Sequence, residues 1–439
     1  MSHKAALLQK IEQHTATVGV IGLGYVGLPL ALAFADRGMR VIGFDVDPNK
    51  TAALNGGRSY IQHIASERVQ AVVEPGRFRA TAAFERLAEC DAIIICVPTP
   101  LTETRDPDLS YVASTTEQIA SVLHAGQLIV LESTTYPGTT DELVCGILQR
   151  TGLVSGRDFY LAFSPEREDP GNERYSTTTI PKVVGGCDAD AGDIAEALYA
   201  KVISRVVRVS SAAAAEATKI SENVFRAVNI ALVNELKVVY ERMGIDVWEV
   251  LDAASTKPFG YMRFNPGPGW GGHCIPLDPF YLSWKAREHG VDTKFIELAG
   301  EINRGMPAYV IERLQLALND RQKSVKGSKV LILGMAYKKD VGDTRESPAY
   351  PIAQQLLALG AKLGYHDPLV SELPDTRSWP GHPDLRSAPL TAELLAAQDV
   401  VVVVTDHTQV DYALVLQHAA LIVDARGVYR AAHPKVVKA

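Results

Sequence analysis

Disulfide chemistry and metal binding have little to work with in this chain. Its five cysteines, Cys90, Cys96, Cys145, Cys187 and Cys274, are odd in number and widely spaced, and no Cys-x-x-Cys occurs. That excludes a disulfide framework and a structural zinc site, fits a reducing compartment, and sets the expectation of a cytoplasmic protein without a metal. An excess of positive charge is also lacking. The net charge of −7 offers no basic field for nucleic acid or an anionic membrane. Residues 1–17 are polar and mixed in charge, unlike a secretory leader. Short-period repeats and low-complexity tracts are missing too, which removes solenoid architectures. One long apolar run exists, residues 18–35, and its length suggests a membrane span. Four glycines and Pro29 interrupt it, and a strand–turn–helix accounts for each of them.

What remains is an ordinary globular composition: 439 residues, 47% hydrophobic and 22% charged, enough for two or three domains with sizeable cores. Short apolar runs at 17–21, 40–45, 92–97, 128–133 and 160–163 read as strands with helical stretches between most of them. Such alternation predicts a parallel sheet covered by helices. From 212 to about 243 runs a helical pattern without Gly or Pro, spanning roughly 45 Å at 1.5 Å per residue. Further helices are expected from 246, over 279–289 and over 293–319, with a loop-rich break at 260–272. A second alternation begins at 326: strands at 329–333, 362–366, 400–405 and 421–424, helices at 348–359 and 391–397. The expected fold is therefore α/β, with an N-terminal Rossmann-like domain (1–211), a central all-helical domain with one long helix (212–322) and a C-terminal Rossmann-like domain (323–439).

The first strand ends in Gly22-Leu-Gly-Tyr-Val-Gly27, the G-x-G-x-x-G spacing. Gly22 permits a tight turn, Gly24 lets the backbone approach a pyrophosphate, and Gly27 lets the helix pack on the strand. Tyr25 and Val26 lie between, so they join the cofactor set. Asp45 closes the next strand about 20 residues on, which suits the ribose hydroxyls of NAD and repels the 2′-phosphate of NADP. Asp47 reads instead as a helix N-terminal residue. Thr99 and Thr134 follow later strands, as ligand contacts or as plain strand-end caps.

A reaction centre requires three further segments: Ser164-Pro-Glu-Arg167, the helical Lys219 with Asn223, and His273-Cys274 with Asp278. A nicotinamide cofactor cannot take a hydride from a bare aldehyde. A thiolate must first add to give a thiohemiacetal; the second hydride then leaves a thioester, which water cleaves to the acid. Cys274 is the candidate nucleophile, Lys219 the oxyanion stabiliser, and Asp278 or Glu166 the general base. The plainer readings are an inert buried cysteine, a solvated helix face for Lys219 and Asn223, a structural His273, and a surface cluster of Arg167, Glu168 and Asp169.

Taken together, Gly22-Leu-Gly-Tyr-Val-Gly-Leu28, Val97-Pro-Thr-Pro100, Glu132-Ser-Thr-Thr-Tyr-Pro-Gly138, Ser164-Pro-Glu-Arg167, Glu216-Ala-Thr-Lys219, Gly269-Trp-Gly-Gly-His-Cys274 and Leu333-Gly-Met-Ala-Tyr-Lys338 resemble the UDP-glucose/GDP-mannose dehydrogenase family over nearly the whole chain. The resemblance implies a thioester-forming Cys274, oxyanion and water-positioning roles for Lys219 and Asn223, an assisting acid at Asp278, and Glu166 and Thr134 in thioester hydrolysis. It further implies a UDP-sugar substrate contacted by Glu166, Arg167, Arg263, Phe264, Gly271, Lys338, Arg345 and Arg426 as well as Lys219 and Asn223. NAD is the implied cofactor and a homodimer on the long helix the implied assembly, with Arg263 reaching a partner subunit. Leu277 stands where UDP-glucose members carry Lys. That departure, Ser164 to Gly171 and Ser59-Tyr-Ile-Gln-His63 are similar to the branch acting on UDP-N-acetylhexosamines, UDP-N-acetylglucosamine above all. Trp270 and Gly342 depart from the pattern of relatives; Trp270 bears on the sugar pocket and Gly342 on the contacts of its own loop.

Overall fold

The computed structural model describes residues 2–61, 64–102, 106–167, 177–272, 275–376 and 379–439. The chain forms two compact units, Met1–Glu222 with Trp284–Val291, and Asn223–Ser283 with Asp292–Ala439.

The first unit is built on an eight-stranded sheet: β1 (Thr17–Ile21), β2 (Arg40–Phe44), β3 (Phe78–Thr81), β4 (Ala92–Ile95), β5 (Leu128–Leu131), β6 (Tyr160–Phe163), β7 (Lys182–Gly186) and β8 (Val206–Arg208). The order is β3-β2-β1-β4-β5-β6-β7-β8. Strands β1, β4, β5 and β6 are buried along their whole length, the signature of a sheet covered on both faces. The order reverses between β1 and β4, so a ligand crevice is expected at their C-terminal ends. The apolar run 18–35 resolves into β1 and the buried helix Gly27–Asp36. Among the described residues no helix is long and apolar enough to cross a membrane. Asp47 caps the helix Pro48–Asn55, its Oδ1 accepting from the Asn49 amide at 2.8 Å.

Three strands of this sheet were not expected from the sequence. Strand β8 has only three residues, and β3, Phe-Arg-Ala-Thr, is broken by an exposed arginine, so neither stands out as an apolar run. Strand β7 ends in Gly185-Gly186, which reads as a turn. There the glycines permit close packing instead: a Cβ on Gly185 would sit 2.0 Å from the Ser211 carbonyl oxygen. Strand β7 also runs antiparallel to β6, pairing Ala162 with Gly186, so the parallel sheet carries one reversed step.

The second unit holds a five-stranded parallel sheet, β9 (Lys329–Leu333), β10 (Lys362–His366), β11 (Val400–Val403), β12 (Ile422–Asp424) and β13 (Val436–Lys438), in the order β10-β9-β11-β12-β13. Its helices include Val247–Ala254 and Lys294–Asn319, and the helix Asp278–Glu288 contributes Asp278–Ser283 to it. Asp367, just past β10, accepts the amides of Met335 and Ala336 at 2.7 and 3.0 Å. Buried His407 accepts the Asp340 amide on Nδ1 at 3.0 Å, so its Nε2 carries the proton facing Asp367 at 3.2 Å.

The long helix Ala212–Arg242 contributes to both units, with the division after Glu222. In the first unit Glu216 anchors it. This buried carboxylate accepts the Gly138 amide at 2.5 Å, the Thr140 amide at 2.9 Å and the Thr140 hydroxyl at 2.6 Å. Burial pushes its carboxyl up to about 7, against the pull of those donors. A folded-state value above the unfolded one means that stability is full below about 4.5 and declines as pH rises through 7. Glu216→Gln should therefore gain on the native chain between pH 5 and 8, by an amount on the order of 3 kcal/mol, read from denaturation midpoints at each pH. Parallel pH curves for the two proteins would refute this.

Candidate active site

The turn after β1 is shaped to admit a ligand. Gly22 has φ +89°, and a Cβ there would lie 2.4 Å from the Cys96 carbonyl oxygen. A Cβ on Gly27 would meet the Gly22 carbonyl oxygen at 1.9 Å, so the helix comes down directly on the turn. Gly24 is different: a Cβ there meets nothing within 4 Å. Among the described residues its backbone faces open space, which close approach of a pyrophosphate requires. Asp45 follows β2 and is buried. Its Oδ2 accepts the Leu23 amide at 3.0 Å and its Oδ1 the Asp47 amide at 3.0 Å, fixing the acid beside the glycine turn. Lys50 lies 3.4 Å from Oδ2. The Tyr60 hydroxyl donates to the Leu23 carbonyl at 2.5 Å. The stretch from Ser59 marked a family branch in the sequence; in the structure Tyr60 braces the dinucleotide turn, while Gln62 and His63 lie outside the described residues.

Tyr25 is half-exposed, and Val26 lines a cleft with Leu30, Glu132, Glu166, Arg167 and Lys182. Thr99 is buried beyond β4 and Thr134 half-buried beyond β5, both at C-terminal strand ends. The Ser164-Pro-Glu-Arg167 loop follows β6 and is gripped by two buried lysines. Lys182 Nζ donates to the Pro165 carbonyl at 3.2 Å, and Lys219 Nζ to the Glu166 carbonyl at 2.5 Å. Lys219 Nζ also stands 3.7 Å from Glu166 Oε2. Glu132 balances Lys182 at 3.0 Å and accepts the Tyr199 hydroxyl, while burial pushes its carboxyl up. Arg167 clamps Glu222 through Nη2 at 2.6 Å and Nε at 3.3 Å, and gives Nη1 to the Pro181 carbonyl at 2.6 Å. Sequence reasoning gave Glu132 and Lys182 no role. Their pairing spans fifty residues, and only Glu132 carried a signal, its place in a family motif.

In the second unit Asn223 Nδ2 donates to Asp278 Oδ2 at 2.6 Å, with both side chains buried. Lys219 is buried as well, so the solvated-face alternative is removed. Asp278 opens the helix Asp278–Glu288, four residues after Cys274. His273, Cys274, Glu168 and Asp169 lie outside the described residues. The glycine-rich loop packs on two of the expected substrate arginines. Gly272 donates its amide to the Arg345 carbonyl at 3.2 Å, and a Cβ on Gly267 would lie 2.7 Å from Arg426 Nη1. Gly271 is equally confined: a Cβ there would lie 2.9 Å from the Tyr337 Cβ. Arg345 engages both Asp343 oxygens at 2.6 to 3.0 Å, and Arg426 Nε donates to the Val404 carbonyl at 2.7 Å. Lys338 is half-buried on the turn beyond β9. Arg263 pairs with Asp252 at 2.6 Å within its own chain, and the Phe264 ring lies 5.7 Å from Phe225.

Burial disfavours the thiolate at the four described cysteines. Burial pushes Cys90 up to about 12 and raises Cys96, Cys145 and Cys187. Among the described residues no group of His, Cys, Asp and Glu is arranged to hold a metal.

Three successive family domains match this chain. Residues 16–203 match the NAD binding domain of the UDP-glucose/GDP-mannose dehydrogenase family, 213–305 its central domain and 331–431 its UDP binding domain. The chain belongs to that family. It is 37% identical over 356 residues to a UDP-N-acetyl-D-glucosamine 6-dehydrogenase of Pseudomonas aeruginosa, covering 81% of this chain and 83% of the relative. It is 36% identical to a UDP-N-acetyl-D-mannosamine dehydrogenase of Salmonella typhimurium over 433 residues, 94% and 99% of the two chains. A solved UDP-D-ManNAc dehydrogenase from Pyrococcus horikoshii superposes with TM-score 0.87 at 32% identity, covering 96% of this chain and 98% of that one.

As a family member the protein is an NAD-dependent nucleotide-sugar 6-dehydrogenase with a UDP-binding domain. The cradle at Gly22, Gly24 and Gly27, with Asp45 beside it, fits NAD. Asp45 also partners Lys50. Asp45→Ser should leave that cation free to meet a 2′-phosphate. The NADP-to-NAD ratio of kcat/KM should then rise by roughly one to two orders of magnitude. An unchanged ratio would show that Asp45 does not select the cofactor.

Proposed function

We propose that this dehydrogenase oxidises the C6 alcohol of UDP-N-acetylglucosamine to the carboxylate, releasing two NADH per sugar nucleotide and supplying a UDP-N-acetyl uronic acid for surface polysaccharide synthesis. The observation that carries the reading is the buried Asn223–Asp278 pair, directly after the Gly269-Trp-Gly-Gly-His-Cys274 segment. The raised thiols of the four described cysteines support it by leaving Cys274 as the candidate nucleophile.

Bound NAD would accept the hydride in both steps, held by Gly22, Gly24, Tyr25, Val26, Gly27, Asp45, Thr99 and Thr134. The chain's own residues do the rest. The Cys274 sulfur adds to the C6 aldehyde carbon, losing its proton to a base, and gives a thiohemiacetal. Lys219 stabilises the oxyanion on that carbon. Departure of the second hydride leaves a thioester. Asn223, held by Asp278, orients water, and Glu166 or Asp278 takes its proton as the carbon–sulfur bond breaks and the thiol is restored. Glu166, Arg167, Arg263, Phe264, Gly271, Lys338, Arg345 and Arg426 are the proposed UDP-sugar contacts. Residues 1–211, 212–322 and 323–439 take the cofactor, dimerisation and UDP-sugar roles.

A second reading, UDP-N-acetylmannosamine as substrate, is supported by the 94% coverage and 36% identity with the Salmonella typhimurium relative. NADH release over a panel of UDP-N-acetylglucosamine, UDP-N-acetylmannosamine and UDP-glucose separates the readings: the highest kcat/KM is expected for the first. One NADH per sugar, with aldehyde as the end product, would refute the thioester route.

A homodimer is the proposed assembly. Phe225, Leu232 and Val239 are exposed on the long helix and Met243 is exposed just past its end; with Asn229 and Leu236 they follow the alternating four-and-three spacing of a coiled-coil seam. Leu232→Glu should convert a dimer to monomer in sedimentation velocity; a native chain that sediments as monomer would remove the proposal.

A further inference from the structure

The second unit contains a cavity of about 630 Å³ lined by none of the residues assigned above to substrate or cofactor. Lys237, on the long helix, forms part of its wall and is only 4% exposed. Among the described residues its one hydrogen bond is a long one, 3.5 Å to the Ala425 carbonyl. Its ammonium stands 5.8 Å from the centre of the Tyr309 ring. The Tyr309 hydroxyl is shut off from solvent and has no hydrogen-bond partner among the described residues. On another wall the Arg430 guanidinium lies over the Trp248 ring at 4.7 Å.

The acids lining the cavity are already engaged. Glu241 pairs with Arg313 at 2.6 Å, and Asp246 pairs with Lys438. Lys237 and Arg430 have no carboxylate within ion-pair distance among the described residues, so the cavity has a surplus of cationic donors. Burial pulls the Lys237 amine down to about 7; Asp424 opposes that, while Arg426 and Arg313 reinforce it. A buried amine with one long hydrogen bond, beside a hydroxyl with none among the described residues, gains from any further acceptor within reach. An anion that accepted from both donors would supply it. Apart from His433, the remaining lining is apolar, with Ile245, Val247, Trp248, Pro434 and Val436, and the volume falls in the range of small-molecule sites.

We propose that this cavity is a second small-molecule site, taking a phosphate group against Lys237 and the Tyr309 hydroxyl, with an attached organic group against Val247 and Trp248. A tetrahedral phosphate accepts from donors in several directions at once, and Arg430 provides a further donor at the aromatic wall.

Site-resolved acetylation of the full-length protein by acetic anhydride at pH 7.5, read by peptide mass spectrometry, tests this. Inorganic phosphate and phenyl phosphate are the probes, and exposed Lys339 is the control. Phenyl phosphate should protect Lys237 but not Lys339, at a concentration at least fivefold below that of inorganic phosphate. Tyr309→Phe, which keeps the ring, should weaken that protection tenfold or more. In calorimetric titration Lys237→Met should lose the corresponding binding. No protection of Lys237, or full protection in Tyr309→Phe, would overturn the site. Equal potency of the two probes would overturn the organic part and leave a site for free phosphate.

Discussion

With Cys274 replaced by Ala, acid formation from the sugar nucleotide should fall by about ten-thousandfold or more, the scale at which enzymes lose a covalent nucleophile. The loss should be selective. An alcohol carries the hydride of the first oxidation by itself, so a trace of aldehyde and at most one NADH per sugar are expected from the variant. The second oxidation has no hydride to remove until something has added to the carbonyl carbon. In the native chain that addend is the proposed sulfur; in the variant only water or an outside thiol remains. Trapping aldehyde with an amine nucleophile, alongside NADH counting, reads both steps in one assay. Acid at the native rate from the variant would end the thioester route, and the general-base roles of Glu166 and Asp278 in hydrolysis would fall with it. The NAD reading would survive, because it rests on other residues.

The second large effect concerns the turn. Gly27→Ala places a methyl 1.9 Å from the Gly22 carbonyl oxygen and 3.3 Å from the Cys96 Cβ. Neither a backbone oxygen nor the Cβ of Cys96, the residue just past β4, can swing aside, so the helix must lift from β1. A cost of about 3 kcal/mol or more is expected, at or above the upper end for overpacked cores, together with loss of measurable NAD binding. Gly24→Ala is the informative contrast. Its Cβ meets nothing within 4 Å, so the melting temperature should stay native while NAD affinity drops. A fall in melting temperature for both variants would mean that Gly24 is confined by something other than ligand. Native NAD affinity in Gly24→Ala would mean that the pyrophosphate does not approach that backbone.

The parts of the site written in local spacing were legible in the sequence. Strands β1 and β6 have the expected bounds, and β2, β4 and β5 end one or two residues early, because the last residue of each apolar run leaves the sheet for the ligand end. The long helix was expected to about 243 and ends at Arg242. Asp45 stands beside the glycine turn as the spacing required, bonded to Leu23. Asn223 was placed with Lys219 by their four-residue separation, and with Asp278 by the family motifs. Less legible were short strands and glycine-rich ones. Strand β13, three residues near the C-terminal end, gave no periodic signal.

Sequence by itself determined the succession of two α/β sheets with a helical stretch between them and the glycine turn with an acid beside it, and it pointed to a candidate nucleophile, because each is set by chemistry within a few residues of chain. Only the tertiary structure decided how charge is distributed in the interior. Glu132, Lys182 and Tyr199 meet from three separate elements, Glu216 holds a loop nearly eighty residues away, and Lys237 stands before a cavity with Tyr309 and Arg430. Each of those ionisable groups looks like ordinary helix or strand punctuation until the backbone brings its partners into a low-dielectric interior. There a hydrogen bond gained or missing outweighs any local propensity.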